Sequence, residues 1–195
     1  MKKLLVLILV FGMASVANAA LQISVGGNMN PEDSTIYLNV SDTIMLDVWS
    51  TVPIPTSSPE LGENSYWVLT AQTSCGYIHG GVAVLAGGDP DWAFDGPYDD
   101  AIGAGITGLP AGENGVVGYI GNFGSNPIPA DTAIFDEIIF HCESLNGPTV
   151  VSLWNAGDSG VITGEPWDTV VIHQIPEPAT IVLLGLGGLL LRRRK

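Results

Sequence analysis

Residues 43–50 read Thr-Ile-Met-Leu-Asp-Val-Trp-Ser, and their apolar side chains alternate with a period of two. Ile44, Leu46 and Val48 would share one face of a strand, and residues 138–142 repeat the same period. Such alternation is typical of half-buried strands in antiparallel sheets. These two segments therefore predict two antiparallel strands.

The rest of residues 20–174 consists of short apolar-alternating runs separated by Gly, Pro, Asn and Asp, and none of them shows a sustained helical period. About ten strands, with no helix for a parallel crossover, predict an all-β fold, a two-sheet antiparallel sandwich of jelly-roll or Ig-like topology. The predicted strands are Leu21–Val25, Thr35–Val40, Thr43–Ser50, Tyr66–Thr73, Gly81–Leu85, Ile102–Thr107, Val116–Phe123, Ala133–Cys142, Thr149–Trp154 and Thr169–His173.

This strand pattern resembles cohesin-like and carbohydrate-binding-module sandwiches. Asp42–Trp49 is similar to their early strand, and Tyr66–Thr73, followed by two glycines, is similar to the middle one. Phe135–Phe140 and Val150–Leu153 resemble the closing hairpin. The resemblance implies a fold rather than an activity, because sandwiches carry many functions.

The basic residues lie only at the two ends of the chain. The 195 residues include six Lys and Arg, all of them in residues 2–3 and 192–195, against 20 Asp and Glu, and the net charge is −14. A phosphate backbone is held by basic side chains, so this charge balance excludes nucleic acid as a partner. The length allows one domain with tails, which we divide into residues 1–19, 20–174 and 175–195.

The N-terminal segment has the three parts of a secretory signal peptide. Met1-Lys2-Lys3 is basic, Leu4–Val16 is apolar, and Ala17-Asn18-Ala19 supplies the small residues that signal peptidase requires. The alternative is an uncleaved anchor, but the apolar run is shorter than the ~20 residues that span a bilayer. We expect cleavage after Ala19 and export of the domain.

The C-terminal segment has a proline-bounded motif, a short apolar run and a basic end. A helix over residues 179–191 would rise roughly 20 Å against a bilayer core of about 30 Å, so it is a poor permanent anchor. The basic end would stay on the cytoplasmic side. The segment is therefore expected to pause in the inner membrane with the proline motif at its outer face.

This tail resembles the PEP-CTERM sorting signal. The motif residues are Pro176, Glu177 and Pro178, followed by the apolar run Ile181–Leu191 and the basic Arg192, Arg193 and Arg194. The resemblance implies recognition by an exosortase, a membrane-embedded Cys protease and transpeptidase, in a bacterium that produces exopolysaccharide. It further implies that the tail is removed and the protein is released or attached at the cell surface. The alternative is a plain C-terminal anchor.

Cys75 and Cys142 are the chain's two cysteines. Because an exported chain passes through an oxidising compartment, we expect them to form a disulfide. A zinc site with His79 and His141 is the alternative. It is disfavoured because adjacent strand residues such as His141 and Cys142 point to opposite faces.

An acidic segment with interleaved aromatic residues is the candidate ligand site. Five carboxylates without a nearby base favour Ca²⁺, although the spacing departs from an EF-hand and a solvated acidic loop is the alternative. Exposed aromatic side chains beside polar ones would bind sugar, whereas the bland alternative is that they cover the core. The residues are Asp89, Asp91, Asp95, Asp99 and Asp100 for Ca²⁺, and Trp92, Phe94 and Tyr98 for sugar.

The sequence contains no recognisable catalytic motif. The leading hypothesis is a non-catalytic exported surface or extracellular-matrix protein whose sandwich contacts polysaccharide or protein partners. A secreted carbohydrate-binding module and a polysaccharide hydrolase are the two alternatives. Retention on polysaccharide gels, abolished by Trp92→Ala, would favour the carbohydrate-binding module. Hydrolysis of any polysaccharide in a broad screen would favour the hydrolase.

Overall fold

The computed structural model describes residues 21–28, 36–54, 65–84, 92–122, 127–145 and 147–176, and for residues 92–95 and 122 the backbone alone. These residues contain strands and turns but no helix. The strands are β1 (Leu21–Val25), β2 (Tyr37–Asn39), β3 (Thr43–Ser50), β4 (Ser65–Gln72), β5 (Gly76–Ala83), β6 (Trp92–Asp99), β7 (Glu113–Asn122), β8 (Thr132–Cys142), β9 (Thr149–Gly157) and β10 (Asp168–Ile175).

The strands form two sheets, in the orders β1-β3-β8-β5 and β2-β10-β9-β4-β7-β6. The expected all-β, two-sheet sandwich is confirmed. One pairing departs from the antiparallel arrangement, because β2 pairs with β10 in parallel, with Tyr37 opposite His173. The expected signal helix and C-terminal helix lie outside the described residues.

The main core lies between the two sheets. Trp67 of β4 and Phe135 of β8 meet at its centre, with ring centroids 4.3 Å apart. Gly118 of β7 lies opposite Trp67, and a Cβ at this position would be 2.4 Å from the indole ring. A glycine is therefore required for the indole to lie against β7.

A second, smaller apolar cluster covers the outer face of the six-stranded sheet. It combines Val68 and Val117 from the sheet with Ala101, Ile106 and Ile162 from the connecting segments. Two backbone hydrogen bonds fasten these segments to each other, from Thr107 N–H to Gly160 O and from Ile162 N–H to Thr107 O. The connecting segments therefore cover one end of that outer face.

The predicted strand Ile102–Thr107 is wrong. Residues 101–105 form turns, in which Ala104 N–H donates to Asp100 O and Gly105 N–H donates to Ile102 O. The Asp100 carboxylate accepts Gly103 N–H at 3.0 Å, which is a local alternative to strand pairing. Ile106 is buried in the loop-covered cluster rather than in a strand.

Two further differences concern β5 and β6. β5 begins at Gly76, five residues before its predicted start, because it pairs with β8 from Gly76 onwards. β6 lies in the segment expected to be a loop, and it pairs with β7 at the edge of the six-stranded sheet. An edge strand tolerates Pro97, and the register shifts between Asp95 and Tyr98.

Candidate functional site

The predicted calcium and sugar residues lie only in part within the described chain. Asp89 and Asp91 lie outside it, and only the backbone is described for Trp92, Phe94 and Asp95. The backbone places the last three in β6, opposite Asn122, Ile120 and Tyr119 of β7 in that order. The expectation of a flexible acidic loop is therefore corrected for residues 92–99, which are paired in a sheet.

Asp99 and Asp100 hold backbone in place. Asp99 Oδ1 accepts the N–H of Gly80 at 2.7 Å, which ties the end of β6 to β5 across the edge of the sandwich. Asp100 Oδ1 accepts from Gly103 N–H and from Asn114 Nδ2 at 2.9 Å. Both hydrogen bonds lower the pKa of Asp100, and the one from the Gly103 backbone has the larger effect. Both carboxylates thus have structural partners.

The structure brings together no cluster of three His, Cys, Asp or Glu side chains that could hold a metal, as far as its described residues reach. A calcium site would therefore depend on Asp89 and Asp91, and it stays a prediction. Tyr98, the described member of the aromatic set, has 52% of its surface exposed. Its expected role in sugar binding also stays a prediction.

Cys75 and Cys142 are both buried, and the structure contains them as thiols. Gly76 pairs with Cys142 across β5 and β8, so the two cysteines lie in neighbouring segments. Glu143 N–H donates to Cys75 O at 2.9 Å, and this hydrogen bond connects the residue after β8 to the residue before β5. Burial raises the pKa of the Cys142 thiol. The disulfide stays a prediction, and this proximity is compatible with it.

The zinc alternative does not fit the described residues. Cys142 lies in the main core, whereas the neighbouring His141 is on the outer face, with its Nδ1 2.8 Å from the hydroxyl of Tyr77. His79 stacks near the same tyrosine, with ring centroids 5.0 Å apart. The two faces of the sheet thus separate the histidine from the cysteine, as strand geometry requires.

A carboxyl pair that the sequence analysis did not single out lies between β3 and β8. Asp47 is 5% exposed and accepts a hydrogen bond from Ser24 Oγ at 3.2 Å. The carboxyl of Asp136 on β8 is its neighbour, and a hydrogen bond from protonated Asp47 to it contributes to the pKa of both groups. The sequence does contain a signal for a buried carboxyl, because Asp47 interrupts an apolar strand. Its cross-strand partner, however, could not be identified from the sequence.

The same contact moves the two pKa values apart. Burial, followed by the neighbouring carboxyl of Asp136, raises the pKa of Asp47 to about 6. The hydrogen bond that Asp47 donates lowers the pKa of Asp136. Burial and the neighbouring carboxyl thus favour the protonated form of Asp47, whereas the charged form is favoured at Asp136.

The sequence analysis also did not predict a cleft on the sandwich, although one of its lining residues, Trp167, is a conspicuous residue type. The cleft has a volume of about 620 Å³ and lies between the end of β9 and the segment that leads to β10. Trp167 forms one side, and Asn155, Ser159 and Thr163 supply polar groups. None of these side chains carries a charge.

The predicted sorting residues lie at the boundary of the described chain. Pro176 is exposed and follows directly after Ile175, the last residue of β10. Glu177, Pro178, Arg192, Arg193 and Arg194 lie outside the described residues, as does the predicted signal peptide. Within the described part of the chain, no helix is long and apolar enough to cross a membrane.

Several solved structures are similar to this chain at low identity. The sixth cohesin of scaffoldin B from Acetivibrio cellulolyticus, solved with a mutant dockerin, is 8% identical with a TM-score of 0.41, covering 80% of this chain and 99% of its own. A non-cellulosomal cohesin from the archaeon Archaeoglobus fulgidus is 12% identical with a TM-score of 0.39, covering 83% and 96%. The Reelin-N domain of F-spondin is 8% identical with a TM-score of 0.36, covering 80% and 86%. These likenesses are too distant to assign a binding partner.

Comparison of the sequence with curated proteins found no match. Residues 174–195, however, match the PEP-CTERM protein-sorting motif. The match begins at Gln174, inside β10, and includes the prolines and the basic end on which the sequence prediction rested. The C-terminal end of this chain thus matches a PEP-CTERM protein-sorting motif, and this match implies export and sorting from a membrane-anchored state before processing.

Proposed function

We propose that this chain is an exported, non-catalytic surface or extracellular-matrix protein of a bacterium. Signal peptidase removes residues 1–19, and the tail holds the domain at the outer face of the inner membrane for a short time. An exosortase then recognises the tail and removes it. The sandwich, freed or attached at the surface, contacts extracellular polysaccharide or surface proteins.

The match of residues 174–195 to the sorting motif carries this proposal. The motif needs to be accessible to a membrane-embedded enzyme, and Pro176 is exposed immediately after β10. Pro176 and Pro178 lack backbone N–H donors, which disfavours a continuation of the β10 ladder into the motif. The folded domain therefore lies within one residue of the sequence that the exosortase would bind.

The charge of the sandwich supports an extracellular role. Nineteen of the 20 acidic residues lie in residues 20–174, and no Lys or Arg lies there. Such a domain repels its own copies, which favours solubility at high local concentration. The same charge disfavours adhesion to anionic membrane surfaces once the tail is removed. These are useful properties for a protein that is displayed outside the cell.

The test is the mass of the secreted product. The full-length chain is produced in a bacterium that carries an exosortase, and the surface fraction is analysed by intact-mass spectrometry. We expect a species that lacks Met1–Ala19 and the tail beyond the Pro-Glu-Pro motif. Replacing Pro176, Glu177 and Pro178 together by Ala should leave the tail in place and the protein in the membrane fraction.

The matched control replaces another Pro-Glu pair, Pro59 and Glu60, by Ala in the same chain. This variant should be processed like the wild type. A major extracellular form that still contains Arg192–Lys195 would contradict the proposal. Equal processing of the Pro-Glu-Pro variant, or unchanged processing in a strain without exosortase, would contradict it as well.

A further inference from the structure

The cleft at the end of β9 has a volume comparable with that of small-molecule sites and is broadly open to solvent. Its volume of about 620 Å³ lies within the usual range of ligand pockets, roughly 300–1,000 Å³. It is open to solvent on one side, since Ser159, Val161 and Thr163 of its rim are exposed. One unit of a long ligand could therefore enter while the rest continues outside.

Backbone hydrogen bonds hold the walls of the cleft in place. Val161 N–H donates to Ala156 O at 2.8 Å, and Gly157 N–H donates to Asn155 Oδ1 at 2.7 Å. On the other side, Trp167 N–H donates to Leu153 O at 2.7 Å. Beneath the rim, Ala156 and Ile162 are buried in the loop-covered cluster. The cleft is thus preformed, and a ligand would lose little free energy to ordering it.

The lining combines one indole with uncharged hydrogen-bonding groups. Trp167 is half-buried, and it packs against the main core while it also lines the cleft. Ser159 and Thr163 offer hydroxyl groups that donate and accept, and Asn155 offers the NH₂ of its amide, because its Oδ1 already accepts from Gly157 N–H. An aromatic face matches the C–H face of a sugar ring, and hydroxyls and an amide match its hydroxyl groups. A sugar is the ligand class that uses both parts of this lining.

Charge decides which kind of sugar would enter. The cleft has no charged lining residue, but the exposed Asp158 and Glu165 lie on the same segment of chain. The domain around it carries 19 acidic residues and no Lys or Arg to pair with an anion. A uronic-acid or sulfated polymer would be repelled, whereas an uncharged one would not.

We propose that this cleft binds one sugar unit of an uncharged glycan, with Trp167 as the stacking platform and Asn155, Ser159 and Thr163 as hydrogen-bonding partners. The site differs from the acidic segment 89–100 that the sequence suggested. It lies on the sandwich and does not depend on the tail, so the sorting proposal and this one can fail separately.

The test is affinity electrophoresis of the full-length chain, purified in mild detergent with EDTA present. The gels contain an uncharged glycan (hydroxyethylcellulose, galactomannan or xyloglucan) or, as the charged set, alginate or polygalacturonate. We expect at least one uncharged glycan to retard the wild type and the charged set to leave its mobility unchanged. Intrinsic fluorescence should change on binding, and Trp167→Phe should remove that change although four of the five tryptophans remain.

Variants separate binding from folding. Trp167→Ala should weaken retardation by about tenfold or more, because a central aromatic contact is lost. That variant could be unstable, so the exposed Ser159→Ala and Thr163→Val serve as the second pair, each expected to weaken binding by about threefold to tenfold. The matched control is Trp154→Phe, since Trp154 is also half-buried on β9 but donates to Thr70 Oγ1 outside the cleft.

Three results would overturn the proposal. One is a wild-type mobility that no uncharged glycan changes. Another is equal retardation of the wild type, Ser159→Ala and Thr163→Val. The last is retardation by alginate or polygalacturonate alone, which would indicate a different surface and a different ligand class.

Discussion

Replacing Asp47 by Asn should stabilise the protein at pH 7 and remove much of its response to mild acid. Asp47 is 5% exposed and its carboxyl meets that of Asp136, while Asn would keep a donor for Asp136 without a second charge. Burial and this neighbour raise the pKa of Asp47 from 3.8 to about 6. Each pKa unit corresponds to about 1.4 kcal/mol, so ionising Asp47 in the folded state at pH 7 costs up to about 3 kcal/mol, which the lowered pKa of Asp136 offsets in part.

The sign follows from proton binding. A carboxyl with a raised folded pKa holds its proton more tightly in the folded state, so stability rises as the pH falls through about 6 towards 3.8. Between pH 7 and pH 5 the gain is about 1.3 kcal/mol, or roughly 3–5 °C in melting temperature for a domain of this size. Asp136 makes the opposite contribution, because its lowered pKa means that its ionised form stabilises the fold. This stabilisation is lost at lower pH, when Asp136 is protonated.

The assay is thermal unfolding followed by circular dichroism at pH 7, 6 and 5, at constant ionic strength. The Asp47→Asn variant should melt above the wild type at pH 7, and the two should converge at pH 5. The exposed Glu165→Gln removes one negative charge elsewhere, so it controls for general repulsion. If Asp47→Asn and Glu165→Gln show the same pH slope as the wild type, the paired-carboxyl reasoning is wrong.

Four other outcomes follow from single features of the chain. Gly118→Ala should destabilise by about 1–3 kcal/mol in chemical denaturation, because its Cβ would lie 2.4 Å from the Trp67 ring, and an unchanged midpoint would contradict this. Thiol titration of the exported, unreduced protein should find neither Cys75 nor Cys142 free, and two titratable thiols would refute the disulfide. The melting temperature should rise with NaCl, since acidic side chains in the domain have no Lys or Arg to pair with, and a flat response would refute the repulsion argument. At high NaCl with EDTA removed, millimolar Ca²⁺ should raise it further if residues 89–100 form a calcium site.

The strands that the sequence predicted best are those whose alternate apolar residues enter the main core. Thr43–Ser50 is observed with the same bounds as predicted, and β8 begins only one residue before its predicted start. Their alternation is a direct consequence of burial on one side, which is a local property of a sheet strand. Periodicity therefore suffices for such strands without knowledge of their partners.

The errors lie where tertiary contacts replace that pattern. Ile106 is buried, as its apolar character suggested, but in a cluster outside the sheet rather than in a strand. β6 contains Gly96 and Pro97, which are turn residues in isolation, and it becomes a strand by pairing with the edge of β7. The parallel pairing of β2 with β10 joins segments more than 130 residues apart, and no local signal could indicate it.

The sequence by itself determined the match to a sorting motif, because such a motif is a short contiguous segment, here residues 174–195. It also determined the sheet class and the acidic charge, which depend on composition and period. The tertiary structure decided which side chains meet: it brings Asp47 against Asp136 and arranges Trp167 with Asn155, Ser159 and Thr163 around one cleft. Such meetings depend on strand order and loop path, which are set by the packing of the whole chain.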